Sequence, residues 1–289
     1  MSEYRVLKND ADPEETVKEM LQYFLDSGTA GSVFALRKTR QEGRYCYSLI
    51  SETSLLSEIL PFFPVMPVQG ARALSELTIT EPLDQPVVAL LRPCEIRAFV
   101  ENVKQSQGHL ENIFIISCTC SGVIPAKKLF EDNRDSIIDN LDENLRNSCK
   151  ACTKFVPGPQ ADMTVLLTAD EQPEGTVIYL QTDRAVEVAE KFESNVSGEY
   201  PAAEELTTDL LETRKAALAE LLRNTPSVEN GLPSMVSIFS SCTGCRGCRE
   251  ACPVCTCILC DYETARTIHS PALIRTNAEM RGSLRVPTG

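Results

Sequence analysis

The chain contains no tryptophan and only two histidines, His109 and His269, in 289 residues. Both lie far in sequence from every cysteine pair and read as structural residues. No Ser-His-Asp relay is recognisable, and no His-rich metal site can be assembled from two imidazoles. Positive charge is also short: 28 Lys plus Arg face 41 Asp plus Glu, a formal net charge of −13. That balance argues against nucleic acid or an anionic membrane surface as the main partner, because both demand dense positive charge. No run of about 18 apolar residues occurs, so no integral membrane segment is expected. The start, MSEYRVLKND, lacks the basic end and apolar stretch of a secretory signal. The expectation is a cytoplasmic chain in surroundings that keep thiols reduced. A glycine-rich phosphate loop of the dinucleotide-binding kind is missing too, as are internal repeats and low-complexity tracts.

What the sequence has in excess is cysteine. Hydrophobic residues at 43% and charged residues at 24% are ordinary for a globular protein, but thirteen cysteines are not. A chain of this length buries roughly 75% of its unfolded surface, so it needs neither metal nor disulfide merely to fold. Thirteen is odd, so a closed disulfide framework leaves one thiol over. In a reducing compartment dense cysteines bind metal more often than each other.

Local patterning predicts an α/β protein. Asp12 and Pro13 open a helix that runs to Gly28, with Val17, Met20, Leu21, Phe24 and Leu25 at helical spacing. Strand-like runs follow at 32–36 and 45–50, and proline-broken connectors at 61–68 and 81–86. Val87-Val88-Ala89-Leu90-Leu91 reads as a strand buried on both faces. Arg92-Pro93-Cys94 then leads into a helix carrying Ile96, Phe99, Val100 and Val103, ended near Gly108. Ile113-Phe114-Ile115-Ile116 is a second buried strand, followed by Ser117-Cys118-Thr119-Cys120-Ser121-Gly122. Strand, helix and strand at this length make a βαβ unit with parallel strands. Their carboxyl ends share one edge, so Cys94, Cys118 and Cys120 should converge where open α/β sheets bind ligands. Cys94 sits at a helix start, whose positive end favours a thiolate. Cys149-Lys150-Ala151-Cys152 offers further thiols after a polar helical segment at 132–147. Strands are expected at 163–167 and 177–180, helices at 183–193 and 203–223, and a linker at about 224–233. Cys46, on the expected strand at 45–50, reads as a small core residue.

Near the C-terminus stands Cys242-x2-Cys245-x2-Cys248-x3-Cys252-Pro253, the bacterial ferredoxin spacing for a 4Fe-4S cluster. Three thiolates reach one cubane from a single tight loop, and Gly244 and Gly247 let the backbone approach it. Zinc is the alternative, but it takes four ligands, commonly as two separated pairs. Here seven cysteines crowd between 242 and 260, since Cys255, Cys257 and Cys260 follow. In two-cluster ferredoxins the cysteine before proline ligates the other cluster, so the partition of these seven stays open.

These residues together resemble the deazaflavin-dependent hydrogenase/dehydrogenase beta-subunit family. The likeness lies in Leu91-Arg92-Pro93-Cys94-Glu95-Ile96-Arg97-Ala98, the Cys118-x-Cys120-Ser121-Gly122 strand end, the Cys149/Cys152 pair and the seven-cysteine run, and it covers about residues 14–285. The chain is similar in particular to the iron–sulfur subunits found with hydrogenase, formate dehydrogenase or heterodisulfide-reductase-type complexes. The resemblance implies an α/β body over 1–225 and a ferredoxin-like cluster-binding segment over 226–289. It implies one body cluster held by Cys94, Cys120, Cys149 and Cys152, with Cys118 either spare or an extra ligand. Two or three 4Fe-4S clusters in all, FAD beside the body cluster, and catalytic and electron-transfer subunits as partners complete the expectation. Related chains commonly carry a further two-cluster ferredoxin module, which is not visible here. A zinc-structured interaction module without turnover and an iron–sulfur sensor or carrier are the rival readings. Redox colour that bleaches with reductant separates the first rival from the electron-transfer reading.

Overall fold

The computed structural model describes residues 5–41, 43–125, 127–128, 140–192, 196–197, 200–225, 231–240 and 247–255. Cys242, Cys245, Cys257, Cys260 and His269 lie outside the described residues. The chain divides into two units, Met1–Val254 and Cys255–Gly289, and every element below belongs to the first.

One eight-stranded sheet forms the frame, in the order β3-β2-β4-β5-β6-β7-β1-β8. Its strands are β1 (Val6–Asn9), β2 (Ser32–Lys38), β3 (Tyr45–Ile50), β4 (Val87–Leu90), β5 (Ile113–Cys118), β6 (Met163–Val165), β7 (Thr176–Leu180) and β8 (Val196–Ser197). The four central strands β2, β4, β5 and β6 run parallel. Antiparallel β3 flanks them on one side and β7, β1 and β8 on the other. Every residue of β4 and β5 is buried, as the unbroken apolar runs predict for strands covered on both faces.

The two faces separate with the period of two. Val88, Leu90, Phe114, Ile116 and Cys118 join the core under α1 (Pro13–Asp26) and α4 (Asp183–Phe192). Val87, Ala89, Ile113 and Ile115 join the core under α2 (Gly70–Thr78) and α3 (Pro93–Lys104). α1 starts as its sequence dictates: the Asp12 carboxylate accepts from the N–H of Glu14 and Glu15 at 2.8 and 3.0 Å. Past its end, Gly28 takes a φ of +71°. α5 (Thr208–Arg223) and α6 (Leu232–Phe239) follow the sheet.

Several boundaries differ from the sequence reading, each for a local reason. Within the described part of 132–147 the helical turn Leu141–Asn144 stops at Leu145, which is extended at ψ 150°. Leu145 is buried, and its methyl groups lie where a Cβ on Gly122 would stand, so packing breaks that helix. α5 begins at Thr208 rather than 203 because a short 3-10 turn, Glu205–Thr207, precedes it. The Thr207 hydroxyl donates to the Ala203 carbonyl at 2.8 Å in that turn. α2, β1 and β8 were not expected. α2 follows proline-broken chain, and two of its five buried residues are Ser75 and Thr78, so its apolar stripe is thin. α6 begins inside the stretch read as a linker.

Candidate functional site

The parallel register Val87↔Ile113 to Leu90↔Ile116 brings the carboxyl ends of β4 and β5 to one edge. Chain leaving β4 enters α3 through Arg92 and Pro93, which puts Cys94 in the first helical turn. β5 ends at Cys118, and Cys120 follows two residues on. Cys120 is fixed from both sides: its N–H donates to the Phe155 carbonyl at 2.9 Å, and its carbonyl accepts from Arg214 Nη2 at 3.1 Å. Gly122 then turns the chain at φ +114°. A Cβ there would lie 2.7 Å from Leu145 Cδ2 and 3.1 Å from Cys149 Cβ, so only glycine lets the 146–152 loop close on the strand end. In that loop the N–H of Cys152 donates to the Cys149 carbonyl at 3.1 Å, setting the two cysteines on one turn.

The thiols influence one another. Burial, then Glu95 and Cys120, push the Cys94 thiol up to about 12. Burial raises Cys149 as well, with Cys120 and Cys152 adding to it. Burial, then the neighbouring Cys120, push the Cys118 thiol up, while Cys118 and Arg92 lower Cys120. Cys94, Cys120, Cys149 and Cys152 therefore form one electrostatic neighbourhood. The helix start favours a thiolate at Cys94, and burial opposes it.

Arg92 and Glu95, named in the sequence only as part of a motif, organise this edge. Arg92 is 3% exposed. Its Nη1 lies 3.5 Å from Cys120 Sγ, and its Nη2 donates to the carbonyl of Phe62 at 2.8 Å and to that of Phe63. Phe62 adopts φ +54°, an uncommon conformation for its type, and its carbonyl is thereby turned to the guanidinium. Glu95 is fully buried. Its carboxylate accepts from Tyr47 Oη at 2.6 Å, Gly70 N at 2.7 Å and Arg92 N at 2.9 Å. Burial holds its carboxyl above the usual range despite those donors. The signal available in sequence was the Arg-Pro-Cys-Glu string itself; the partners Tyr47, Phe62 and Gly70 carry none.

The chain from Thr153, the residue after Cys152, to Gly158 lines an open cavity of about 680 Å³, within the range of small-molecule sites. Arg97, Lys104 and Lys154 line it together with Glu101 and Glu204, Lys104 being paired with Glu101 at 3.3 Å, and Phe155, Val156 and Leu211 give it an apolar wall. Arg97 is anchored there by donating to the Lys154 carbonyl at 2.8 Å.

The other cysteines are placed differently. Cys46 lies on the edge strand β3, half-buried, with Sγ 3.4 Å from Ser48 Oγ; it is not the core residue expected. Cys248 is exposed and Cys252 and Cys255 are half-buried. The N–H of Cys252 donates to the Cys248 carbonyl at 3.0 Å. Among the described residues, no three His, Cys, Asp or Glu side chains stand close enough to hold one metal ion. No helix among them is long and apolar enough to cross a membrane.

A parallel-centred sheet with thiols at its carboxyl edge is the arrangement the strand–helix–strand pattern predicted, and comparison with known proteins supports the deazaflavin-coenzyme dehydrogenase/hydrogenase beta-subunit family. Among particular proteins, the chain is 24% identical over 135 residues to the F420-dependent formate dehydrogenase 1 subunit beta of Methanococcus maripaludis. The match takes in 44% of this chain and 34% of that subunit, so it spans about a third of the relative's length. A solved chain from the F420-reducing [NiFe] hydrogenase complex of Methanosarcina barkeri shares the fold with a TM-score of 0.56 at 12% identity. That likeness covers 81% of this chain and 94% of the other. No family model matches the chain.

Proposed function

We propose that the chain is a flavin-linked iron–sulfur electron-transfer subunit of a multi-subunit oxidoreductase of the hydrogenase, formate dehydrogenase or heterodisulfide-reductase type. The observation that carries this reading is the placement of Cys94 and Cys120 at the shared carboxyl edge of β4 and β5, with the Cys149–Cys152 turn closed on it at Gly122. The donor set has the chemistry of a 4Fe-4S group, which takes one thiolate at each iron and so does not need three side chains converging on a single ion. It has four thiols, a glycine that lets two of their segments close together, and a buried guanidinium to offset negative charge. Cys118, at the end of β5, is either spare or an extra ligand. The run from Cys242 to Cys260 supplies the remaining ligands, for two or three clusters in all. When bound, the clusters carry single electrons and the flavin exchanges one or two, which links a hydride-type donor to one-electron flow.

The cavity lined from Thr153 onward suits FAD, with Arg97 and Lys154 taking the phosphates and Phe155 and Val156 the apolar wall, while Lys104 is paired with Glu101. The catalytic and electron-accepting partners are other subunits, as in the complexes of the relatives. Anaerobic quantitation of iron, sulfide and flavin on the isolated chain tests the reading. Cys120→Ser should lower the iron content by about four atoms per chain, while Cys46→Ser leaves it unchanged. A colourless wild-type chain without iron, or an unchanged iron content in Cys120→Ser, would defeat it.

A further inference from the structure

Asn102 lies in the last turns of α3 and has no exposed surface. Its amide nitrogen donates to Ser75 Oγ of α2 at 2.9 Å and to the backbone carbonyl of Pro253 at 3.1 Å. A carbonyl can only accept, so the orientation of the amide is settled: both its N–H groups are used, and Oδ1 is left buried without a partner. An orphaned amide oxygen is a cost that a smaller or apolar residue in a helix–helix seam would avoid. The bond gained in return reaches across the molecule to the residue that follows Cys252. The seam is tight on the body side. A Cβ on Gly108 would stand 3.1 Å from Thr78 Oγ1, and His109 N donates to that hydroxyl at 3.2 Å, so the α2–α3 pair is a firm base for the contact.

We propose that Asn102 is the positioning residue that seats the Gly247–Val254 end of the cysteine run on the body, with α3 acting as a spacer of set length. Cys94 stands in the first turn of α3 and Asn102 eight residues later, an axial rise of roughly 12 Å at the helical repeat. The same rigid element thus carries a body thiol at one end and the anchor of the C-terminal thiols at the other. Electron hopping falls steeply with distance, so an anchor at this position holds the two groups at a constant separation. The spacer role rests on the cluster reading above; the docking contact does not.

The test compares the full chain, prepared anaerobically, with Asn102→Leu, which fills the volume without donating, and with Asn102→Ser, which is too short to reach Pro253. Ser75→Ala, which removes only the other bond, is the control. In both Asn102 variants, amide hydrogen exchange over 247–253 should quicken roughly fivefold, the equivalent of one net hydrogen bond. The magnetic splitting between reduced clusters should narrow while iron content stays at the wild-type level. Ser75→Ala should change neither. Wild-type exchange and splitting in whichever Asn102 variant folds would overturn the proposal. A wild-type chain without iron, whose 247–253 protection still depends on Asn102, would overturn the cluster reading and uphold the docking contact.

Discussion

Glu95 shows how one side chain ties the site to the fold. Its two oxygens join β3 through Tyr47, the start of α2 through Gly70 and the start of α3 through Arg92. No water reaches it, so each donor would be left bare if it were lost. Glu95→Gln keeps the shape but not the acceptors. With its oxygen towards Tyr47 and Gly70, the new amide N–H would face the N–H of Arg92. The variant should be about 1–3 kcal/mol less stable, the cost of one unsatisfied buried donor, read as a lower urea midpoint at pH 7 with an unchanged slope. Arg92 depends on the same joint, because the helix start that Glu95 holds aims the guanidinium at Cys120 and at the Phe62 and Phe63 carbonyls. Little of this was legible in the sequence. Cys94, Cys120, Cys149 and Cys152 announce themselves by residue type. A buried glutamate and arginine look like any surface pair until the chain is folded.

The βαβ unit was the most legible element, because β4 and β5 are unbroken apolar runs and a parallel pair has only one carboxyl edge. Helix ends were less so, since tertiary partners set them. The start of α5 is the example: its cap comes from Asp170, distant in sequence. Asp170 Oδ2 accepts from Asp209 N at 3.0 Å and Thr208 Oγ1 at 3.1 Å, and Oδ1 accepts from Leu210 N at 3.2 Å. Those donors, the Asp209 N–H foremost, hold the Asp170 carboxyl below its usual range. A depressed carboxyl stabilises the fold above its unfolded value and loses that contribution as pH falls through the lowered one. α5 also carries Arg214, which donates to the carbonyls of Cys120 and Ser121, so fraying at its start reaches the thiol edge. In Asp170→Ala, amides 208–211 should exchange faster than wild type at neutral pH. The difference should close as the solution is taken below the carboxylate range. A difference that persists in acid would assign the effect to packing instead of the cap.

At the scale of the whole molecule, the α/β core and the cysteine run make unequal demands on each other. The core clusters draw on all the strands except β8, which only packs against them, and on α1 to α4, and no described residue after Arg214 is buried. Described residues of the C-terminal part therefore add little apolar burial to the body, and burial dominates folding free energy. Composition had already made this point, since a chain of such length builds a core without metal. What composition could not show is that the Asn102 to Pro253 hydrogen bond links the two, because neither residue carries any signal for the other in sequence. A chain ending at residue 225 should then fold by itself. Its far-UV circular dichroism should show the α/β signature and its urea unfolding should stay a single cooperative transition. Its stability should fall short of the full chain's by at least about 1 kcal/mol, the net worth of the Asn102–Pro253 bond removed with the C-terminal part. The iron of the body site should be retained, because Cys94, Cys120, Cys149 and Cys152 all precede the cut. A truncated chain that unfolds gradually, or that holds no iron while the full chain does, would show that the body needs its C-terminal part to fold or to bind.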